Sequence, residues 1–183
     1  MNWGCEQMDS TKAVSAEQRF DSRSLLRRAW KRRLVVLGAS ALLAAAALLP
    51  TRFTFGLNAS HSLPYQLFLI DKAATPGRGD LVAFRWHGGG PHPEGVTFVK
   101  FAAGVPGDLV SDLDSLFHIN GTPVARAKTH GLQGQPLEPG PTGVIPYDHL
   151  FVHAPHPDSL DSRYALTGWI HRSRVIGKAY ALF

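Results

Sequence analysis

One apolar run near the N-terminus constrains this chain more than any other feature. Residues 34–49, LVVLGASALLAAAALL, contain a single polar side chain, a serine, in sixteen positions. Sixteen falls just short of the roughly 17 to 25 residues that cross a bilayer as a helix. Trp30 before the run, with Phe53 and Phe55 after it, can complete the crossing at the two interfaces. We therefore predict a transmembrane anchor at residues 34–51.

The same run also fits a cleaved secretory signal, which combines a basic start, a short apolar stretch and small residues. Two observations favour an uncleaved anchor instead. The segment before the run is long for a signal, and the small residues lie inside the run rather than after it. We keep the cleaved signal as the alternative.

The net charge of +5 is concentrated before the anchor. Residues 1–33 hold eight Lys or Arg against four Asp or Glu, whereas the remaining residues hold eleven against ten. This distribution argues against a nucleic-acid surface and, by the positive-inside rule, leaves the N-terminus in the cytoplasm. We predict a basic cytoplasmic tail at residues 1–33 and an external domain at residues 52–183, with membrane lipid as a partner.

The external segment has the sequence pattern of a mostly β domain. Short apolar stretches such as YQLFLI, DLVAFRW and HLFVHA alternate with Pro and Gly clusters, and no long amphipathic helical pattern follows residue 52. Asn120 and Gly121 predict a hairpin turn, and the Gly-rich residues 87–95 predict a long connection between two strands. The single cysteine excludes an internal disulfide.

The motif search finds no metal or nucleotide signature, so we expect no metal and no cofactor. His149, His153 and His156 lie close in sequence, and i, i+4 spacing suits a metal on a helix. On a strand, His149 and His153 would stand about 13 Å apart, too far for one ion.

Two side chains are candidates for acid–base and nucleophilic chemistry. Ser62 is preceded by His61, but adjacent residues of an extended chain point to opposite faces, so His61 is not the expected base. Lys100 lies among Phe98, Val99 and Phe101, and apolar burial would leave its amine neutral. The alternative is an ordinary strand lysine whose head reaches water.

Five segments in order resemble the signal peptidase I family of membrane-bound Ser/Lys peptidases, most closely its conjugative-transfer (TraF-type) branch. The segments are NASHSLP, GRGDLVAF, VKFAAGVPGD, HINGTPV and SLDSRYALTGWIHRSRVIGKA, between residues 58 and 179.

The chain departs from the family pattern at three places. Phe101 stands where arginine is usual, and Leu166 stands where glycine is usual. Gln66, Leu67 and Phe68 stand where the branch has Gly-Leu-Tyr. The resemblance implies a signal-peptidase-like fold, a β-barrel or coiled antiparallel sheets behind one transmembrane helix.

The resemblance also implies the roles of individual residues. Ser62 matches the nucleophile and Lys100 the general base. Ser60 matches a hydroxyl that helps to bind the oxyanion.

Three further positions come from the final segment. Ser159 matches a serine that orients the lysine amine, and Asp161 and Arg163 match a charged pair that braces the site.

The function implied is that of a leader peptidase in the inner membrane with its catalytic domain in the periplasm. It would process a pilin-like or secreted precursor for conjugative transfer, with water or an amine as acceptor; an amine would give a cyclic product. We expect the precursor to add as a strand beside the nucleophile segment or the DLVAF strand. The alternatives are a general type I signal peptidase and a catalytically inert, membrane-tethered module of a secretion channel.

Overall fold

The N-terminal part of the chain is one long helix. A computed structural model describes residues 7–58 and 60–183, with side chains from residue 25 onward. Helix α1 runs from Gln7 to Arg52. Residues 7–33 contain neither glycine nor proline, so nothing in the sequence interrupts the helix before the apolar run. The predicted tail is therefore helical from Gln7 onward, and its first six residues lie outside the described part.

One stretch of α1 is long and apolar enough to cross a membrane. It comprises Leu25–Arg52 and includes the predicted anchor at residues 34–51. None of its most apolar window is buried, as expected for a surface that faces lipid. The chain divides between Leu49 and Pro50 into two units, of which the second holds all the strands.

The described residues of the second unit form eleven strands. They are β1 (Phe53–Leu57), β2 (Leu67–Asp71), β3 (Leu81–Arg85), β4 (Thr97–Gly104), β5 (Leu109–Leu113), β6 (Leu116–Ile119), β7 (Thr122–Arg126), β8 (Gly143–Val144), β9 (His149–His153), β10 (Ile170–His171) and β11 (Val175–Ala181). A seven-stranded sheet has the order β1-β2-β11-β3-β4-β9-β10, and a four-stranded sheet has the order β7-β6-β5-β8. Every strand pair is antiparallel. The prediction of a mostly β fold with antiparallel sheets and one N-terminal helix is confirmed.

The local predictions for turns also agree with the structure. Asn120 and Gly121, with φ of 51° and 80°, form the two-residue turn between β6 and β7. Positive φ at both positions is what an Asn-Gly hairpin turn requires. The Gly-rich residues 87–95 connect β3 to β4. Beyond Arg52, the described chain has one short 3₁₀ turn, Arg172–Arg174, as its only helical element.

The core has three apolar clusters. The first contains Phe68, Ile70 and Ala83, on one side of the larger sheet. The second contains Val82 and Phe84 on the other side, because successive residues of a strand point to opposite faces. The third joins the smaller sheet to β9; its members include Val110, Phe117, Ile119 and Phe151. Strand β3 is thus buried on both faces, as expected for the centre of the domain.

Candidate active site

Lys100 is a buried lysine on β4, which lies next to the central strand of the larger sheet. The residue as a whole is 5% exposed. Its Nζ donates a hydrogen bond to Ser159 Oγ over 2.8 Å and lies 5.7 Å from the centre of the Phe98 ring. The alternative, an ordinary strand lysine whose amine reaches water, therefore does not describe Lys100.

Burial is the main influence on the Lys100 amine. Desolvation lowers the pKa of Lys100 from 10.5 to about 8. The negative charge of Asp161 raises this pKa, and the positive charge of Arg163 lowers it. An amine with a pKa near 8 is partly neutral in mildly alkaline solution, so it can accept a proton there.

Asp161 and Arg163 form a buried ion pair beside this lysine. Their side chains are 0% and 2% exposed. Arg163 Nε donates to Asp161 Oδ1 over 2.8 Å and Nη2 donates to Oδ2 over 3.0 Å, the paired geometry that suits guanidinium and carboxylate. Burial alone would raise the pKa of Asp161, but the neighbouring His153 and Arg163 side chains lower it. The carboxylate remains ionised.

Arg163 also fixes the backbone around the lysine's partner. Its Nη1 donates to the carbonyl of Arg126 over 2.8 Å, and Nη2 donates to the carbonyl of Ser159 over 3.2 Å. The Gly140 amide in turn donates to the Arg163 carbonyl over 2.7 Å. A Cβ at Gly140 would lie 2.2 Å from the Ser162 carbonyl oxygen, so only glycine permits this approach.

The candidate nucleophile lies on the connection between β1 and β2. Ser62 Oγ and Ser60 Oγ are 2.9 Å apart, and Ser60 Oγ donates to Asn58 Oδ1 over 2.9 Å. Because the one hydroxyl proton of Ser60 goes to Asn58, Ser62 is the donor to Ser60. Asn58 Nδ2 donates to the carbonyl of Tyr65 over 2.8 Å and so holds both ends of the turn.

The structure brings the predicted residues together in two groups. Lys100, Ser159, Asp161 and Arg163 form one hydrogen-bonded and ion-paired group, and Ser60 and Ser62 form the other. Among the described residues, no hydrogen bond joins Ser62 to Lys100. The Ser62 segment contacts β4, because Leu63 packs in the same cluster as Val99 and Phe101. These two residues flank Lys100 and point to the opposite face of the strand.

An ion pair ties together three of the segments that carry the resemblance. Arg78 Nη2 contacts Asp108 Oδ1 at 2.5 Å, and Asn120 Nδ2 donates to the same oxygen over 2.8 Å. Asp108 Oδ2 accepts from the Val105 amide over 2.8 Å. These contacts hold the turn before β3, the turn after β4 and the β6–β7 hairpin in one arrangement.

The family model described as signal peptidase, peptidase S26, matches residues 27–183. The chain belongs to this family. It is therefore a peptidase, and its apolar N-terminal helix indicates that it is anchored in a membrane.

Two relatives of this S26 peptidase are conjugal transfer proteins. The chain is 31% identical over 144 residues to a probable conjugal transfer protein TraF of Sinorhizobium fredii, a match that covers 68% of this chain and 74% of the relative. It is 38% identical over 68 residues to the conjugal transfer protein TraF of Agrobacterium tumefaciens. That second match covers 36% of this chain and 38% of the relative, so it spans less than half of the relative's length.

A solved signal peptidase I from Enterococcus faecalis is also similar. The sequence identity is 25%, and the match covers 57% of this chain and 96% of that chain, with a TM-score of 0.40.

Sequence reasoning about the peptidase missed two polar residues beside the predicted ones. Asn58 opens the nucleophile segment, and its position two residues before a serine is a signal for a side-chain turn. His153 Nδ1 lies 3.3 Å from Asp161 Oδ2, although not in hydrogen-bonding geometry. The sequence indicated His153 only as a member of the histidine cluster, because its approach to Asp161 depends on how β9 meets the following loop.

The histidine cluster considered for metal binding lies on a strand. His149 and His153 are the first and last residues of β9, and an extended strand keeps its two ends apart. Within residues 7–58 and 60–183, no three His, Cys, Asp or Glu residues are close enough to hold a metal ion. His61 is exposed, and the expectation of a site without metal or cofactor stays a prediction.

One expectation about substrate binding is wrong. Strand β3, which contains the DLVAF segment, pairs with β11 along one edge and with β4 along the other. No edge of β3 is therefore open for an added strand. In the described part of the chain, the open edges near the site belong to β1 and to residues 97–100 of β4, since β9 pairs with β4 only from Phe101 onward.

Proposed function

We propose that this S26 peptidase is a membrane-anchored serine endopeptidase with Ser62 as nucleophile and Lys100 as general base. The buried, Ser159-bonded amine of Lys100 is the observation that carries the proposal. Burying a lysine without a carboxylate in hydrogen-bonding contact is costly, and this cost is expected where a neutral amine has a chemical task.

The first step transfers a proton from Ser62 to Lys100. Ser62 Oγ gives up its hydrogen bond to Ser60, attacks the carbonyl carbon of the scissile peptide and passes its proton to the neutral Nζ. The ammonium then returns that proton to the leaving nitrogen as the peptide bond breaks. An acyl-enzyme on Ser62 remains, and a water molecule or an amine releases the product.

Ser60 and the Ser62 backbone amide stabilise the oxyanion in this scheme. The Ser60 hydroxyl, which donates to Asn58 in the free enzyme, turns towards the charge that develops on the substrate oxygen. Ser159 orients the lysine amine. Asp161 and Arg163 hold Ser159 in place through the bond from Arg163 to the Ser159 carbonyl.

The substrate is an extended precursor segment with small residues before the cut. The open edge at residues 97–100 of β4 offers main-chain groups beside Lys100, and the open edge of β1 leads towards Ser62. Hydrogen bonds along such an edge supply affinity, and the side-chain pockets supply selectivity.

The conjugal transfer relatives support a biological setting for this proposal. The anchor holds the N-terminus in the cytoplasm of the donor cell and the peptidase domain on the periplasmic side of the inner membrane. The precursor is a pilin-like subunit, and attack on the acyl-enzyme by the amino terminus of the same acylated fragment would give a circular product. These relatives favour conjugative transfer over a general type I signal peptidase.

The test compares three variants expressed with a candidate pilin precursor. Ser62→Ala and Lys100→Ala leave the precursor at its full mass, whereas His61→Ala, the adjacent control, processes it like the parent. Mass spectrometry of the product separates the two acceptors, because a circular product is lighter than the linear one by one water. Processing that survives Lys100→Ala would remove the proposed base. A parent protein that never cuts the precursor would favour the inert channel module.

A further inference from the structure

Asn58 holds the turn that carries the two candidate hydroxyls. Its Nδ2 donates to the carbonyl of Tyr65 over 2.8 Å and to the carbonyl of Leu63 over 3.2 Å. Its Oδ1 accepts from the backbone amide of Ser60 over 3.0 Å and from the Ser60 hydroxyl over 2.9 Å. Two carbonyls require a donor and a backbone amide requires an acceptor, so the orientation of the Asn58 side chain is fixed.

Every hydrogen-bonding position of the Ser60 hydroxyl is occupied in this arrangement. Its proton goes to Asn58 Oδ1, and its oxygen accepts from Ser62 Oγ over 2.9 Å. The oxygen also accepts, more weakly, from the Ser62 backbone amide over 3.5 Å. A hydroxyl has one donor and two acceptor positions. The side-chain hydrogen bonds therefore run in one direction, from Ser62 to Ser60 and from Ser60 to Asn58.

This direction keeps the candidate nucleophile at rest. The proton of Ser62 points to Ser60, and the Lys100 amine donates to Ser159 instead. An alcohol is a weak nucleophile until a base takes its proton. The free enzyme therefore holds Ser62 in an unreactive state for as long as Ser60 donates to Asn58.

A substrate carbonyl in the oxyanion position changes this state. The Ser60 hydroxyl then turns from Asn58 towards the carbonyl oxygen. Its proton and both lone pairs rotate together about the Cβ–Oγ bond, so the lone pair that accepted from Ser62 turns away as well. The Ser62 proton is then free for Lys100. Binding of the carbonyl and activation of the nucleophile become one event.

We propose that Asn58 is a positioning residue that couples occupation of the oxyanion site to the release of the Ser62 proton. The inference rests on the proposed function, because it concerns the control of the same nucleophile. Asn58 acts through Ser60 rather than on the reacting atoms. Its Oδ1 sets the resting direction of the hydrogen bonds, and its Nδ2 keeps the shape of the turn. A ligand without a carbonyl at the cleavage point leaves Ser62 at rest.

A double-mutant cycle separates this role from that of a simple clamp on the turn. Asn58→Asp keeps an oxygen towards Ser60, and a carboxylate holds the hydroxyl proton more strongly than an amide does. A clamp would support the turn whether or not residue 60 has a hydroxyl. The variant is therefore made in the parent and in Ser60→Ala. Gln66→Glu, at the exposed far end of the same connection, is the matched control for the added charge.

The assay measures cleavage of a fluorogenic peptide with alanines before the cleaved bond. Asn58→Asp should lower kcat about 10²- to 10³-fold in the parent, the range for the loss of an oxyanion donor. In Ser60→Ala the same change should lower kcat only about threefold, the size of the repulsion between two charges across water. Gln66→Glu should leave kcat unchanged in both backgrounds.

Asn58→Ala is the second variant, in case the carboxylate disturbs folding, which near-ultraviolet circular dichroism checks. It releases the Ser60 hydroxyl instead of holding it, so kcat should fall about tenfold in the parent, less than for Asn58→Asp, and less than about threefold in Ser60→Ala. A clamp predicts the reverse order, because alanine removes every side-chain bond of Asn58.

A peptide aldehyde and the matching peptide alcohol test the coupling directly. The aldehyde carbon forms a bond to Ser62 Oγ, its C=O double bond opens to an oxyanion, and the Ser62 proton moves to Lys100. The alcohol has no carbonyl and forms no such bond. Asn58→Asp should weaken inhibition by the aldehyde about as much as it lowers kcat, because the adduct resembles the transition state. Inhibition by the alcohol should stay at the parent value.

Three results would overturn the role of Asn58. They are equal losses of kcat in the two backgrounds, an unchanged kcat for Asn58→Asp in the parent, and an equal weakening of inhibition by the aldehyde and the alcohol. A parent protein that leaves the peptide uncut, or a Ser62→Ala variant that cuts it at the parent rate, would instead be a failure of the proposed function. The inference would fall with it.

Discussion

The two halves of the candidate site differ in almost every physical respect. The half that holds the amine is buried, and Lys100, Asp161 and Arg163 each have polar partners within the protein. The half that holds the hydroxyls is on a connection between strands, where Ser60 is exposed and bonds only its near neighbours. One half is assembled from distant segments, and the other is local.

This difference agrees with the roles proposed for the two halves. A lysine becomes neutral near physiological pH only when water is kept away, and the charges beside it then need partners of their own. A nucleophile must instead be reached by the substrate. The amine half is therefore the part that the fold must hold rigidly, and the hydroxyl half is the part that the substrate completes.

The largest effect on stability should come from the buried ion pair. Arg163→Met leaves Asp161 as an unpaired buried charge, and removing one partner of such a pair costs about 3 to 5 kcal/mol. Thermal and denaturant unfolding of the variant would measure this loss. The exposed Arg85→Met, a matched control, should change the free energy of unfolding by less than about 0.5 kcal/mol. Similar stabilities for the two variants would show that the amine half is not the rigid one.

The opposite pattern is expected in the hydroxyl half. Ser60→Ala removes one oxyanion donor, which raises the barrier by about 2.7 to 4 kcal/mol and so lowers kcat about 10²- to 10³-fold. Because Ser60 is exposed, the unfolding transition should stay where it is. Ser60→Thr keeps the hydroxyl and should restore most of kcat. A drop in kcat for Ser60→Thr as large as that for Ser60→Ala would exclude the hydroxyl as the cause.

The pH dependence of stability should report the Lys100 amine directly. The pKa of Lys100 is about 8 in the folded chain and 10.5 when unperturbed. Between these values the unfolded chain binds more protons, so the free energy of unfolding rises with pH over this window, by up to about 3 kcal/mol. Below pH 8 the cost of burying the ammonium is constant. Unfolding measured from pH 7 to pH 10.5 should show this rise in the parent and lose it in Lys100→Met.

The smallest effect concerns the residue that orients the amine. Ser159→Ala removes one neutral hydrogen bond to Lys100, which is typically worth about 0.5 to 1.5 kcal/mol. We expect kcat to fall about three- to tenfold. The pH at which kcat rises should also shift, because a different solvation of the Lys100 amine changes its pKa. A variant that keeps the parent pH profile would reduce Ser159 to a packing role.

Much of the fold could be predicted because its signals are local. The apolar run, the Pro and Gly clusters and the Asn120-Gly121 turn each act over a few residues, and all three agree with the structure. Ser62 and Lys100 were candidates from their sequence surroundings, and the resemblance implied the roles of these residues and of Ser159 without any knowledge of their contacts.

What failed was an inference about strand pairing. The alternation within DLVAF shows a strand but not its neighbours, and both edges of β3 are occupied by strands from other parts of the chain. His153 beside Asp161 was missed for the same reason.

The sequence by itself determined that this chain has one apolar N-terminal helix followed by short antiparallel strands, because hydrophobic pattern and turn chemistry are properties of neighbouring residues. Only the tertiary structure decided that the Lys100 amine is buried and that Ser159 accepts its hydrogen bond. Burial depends on which distant segments pack together, and no stretch of sequence contains that information alone.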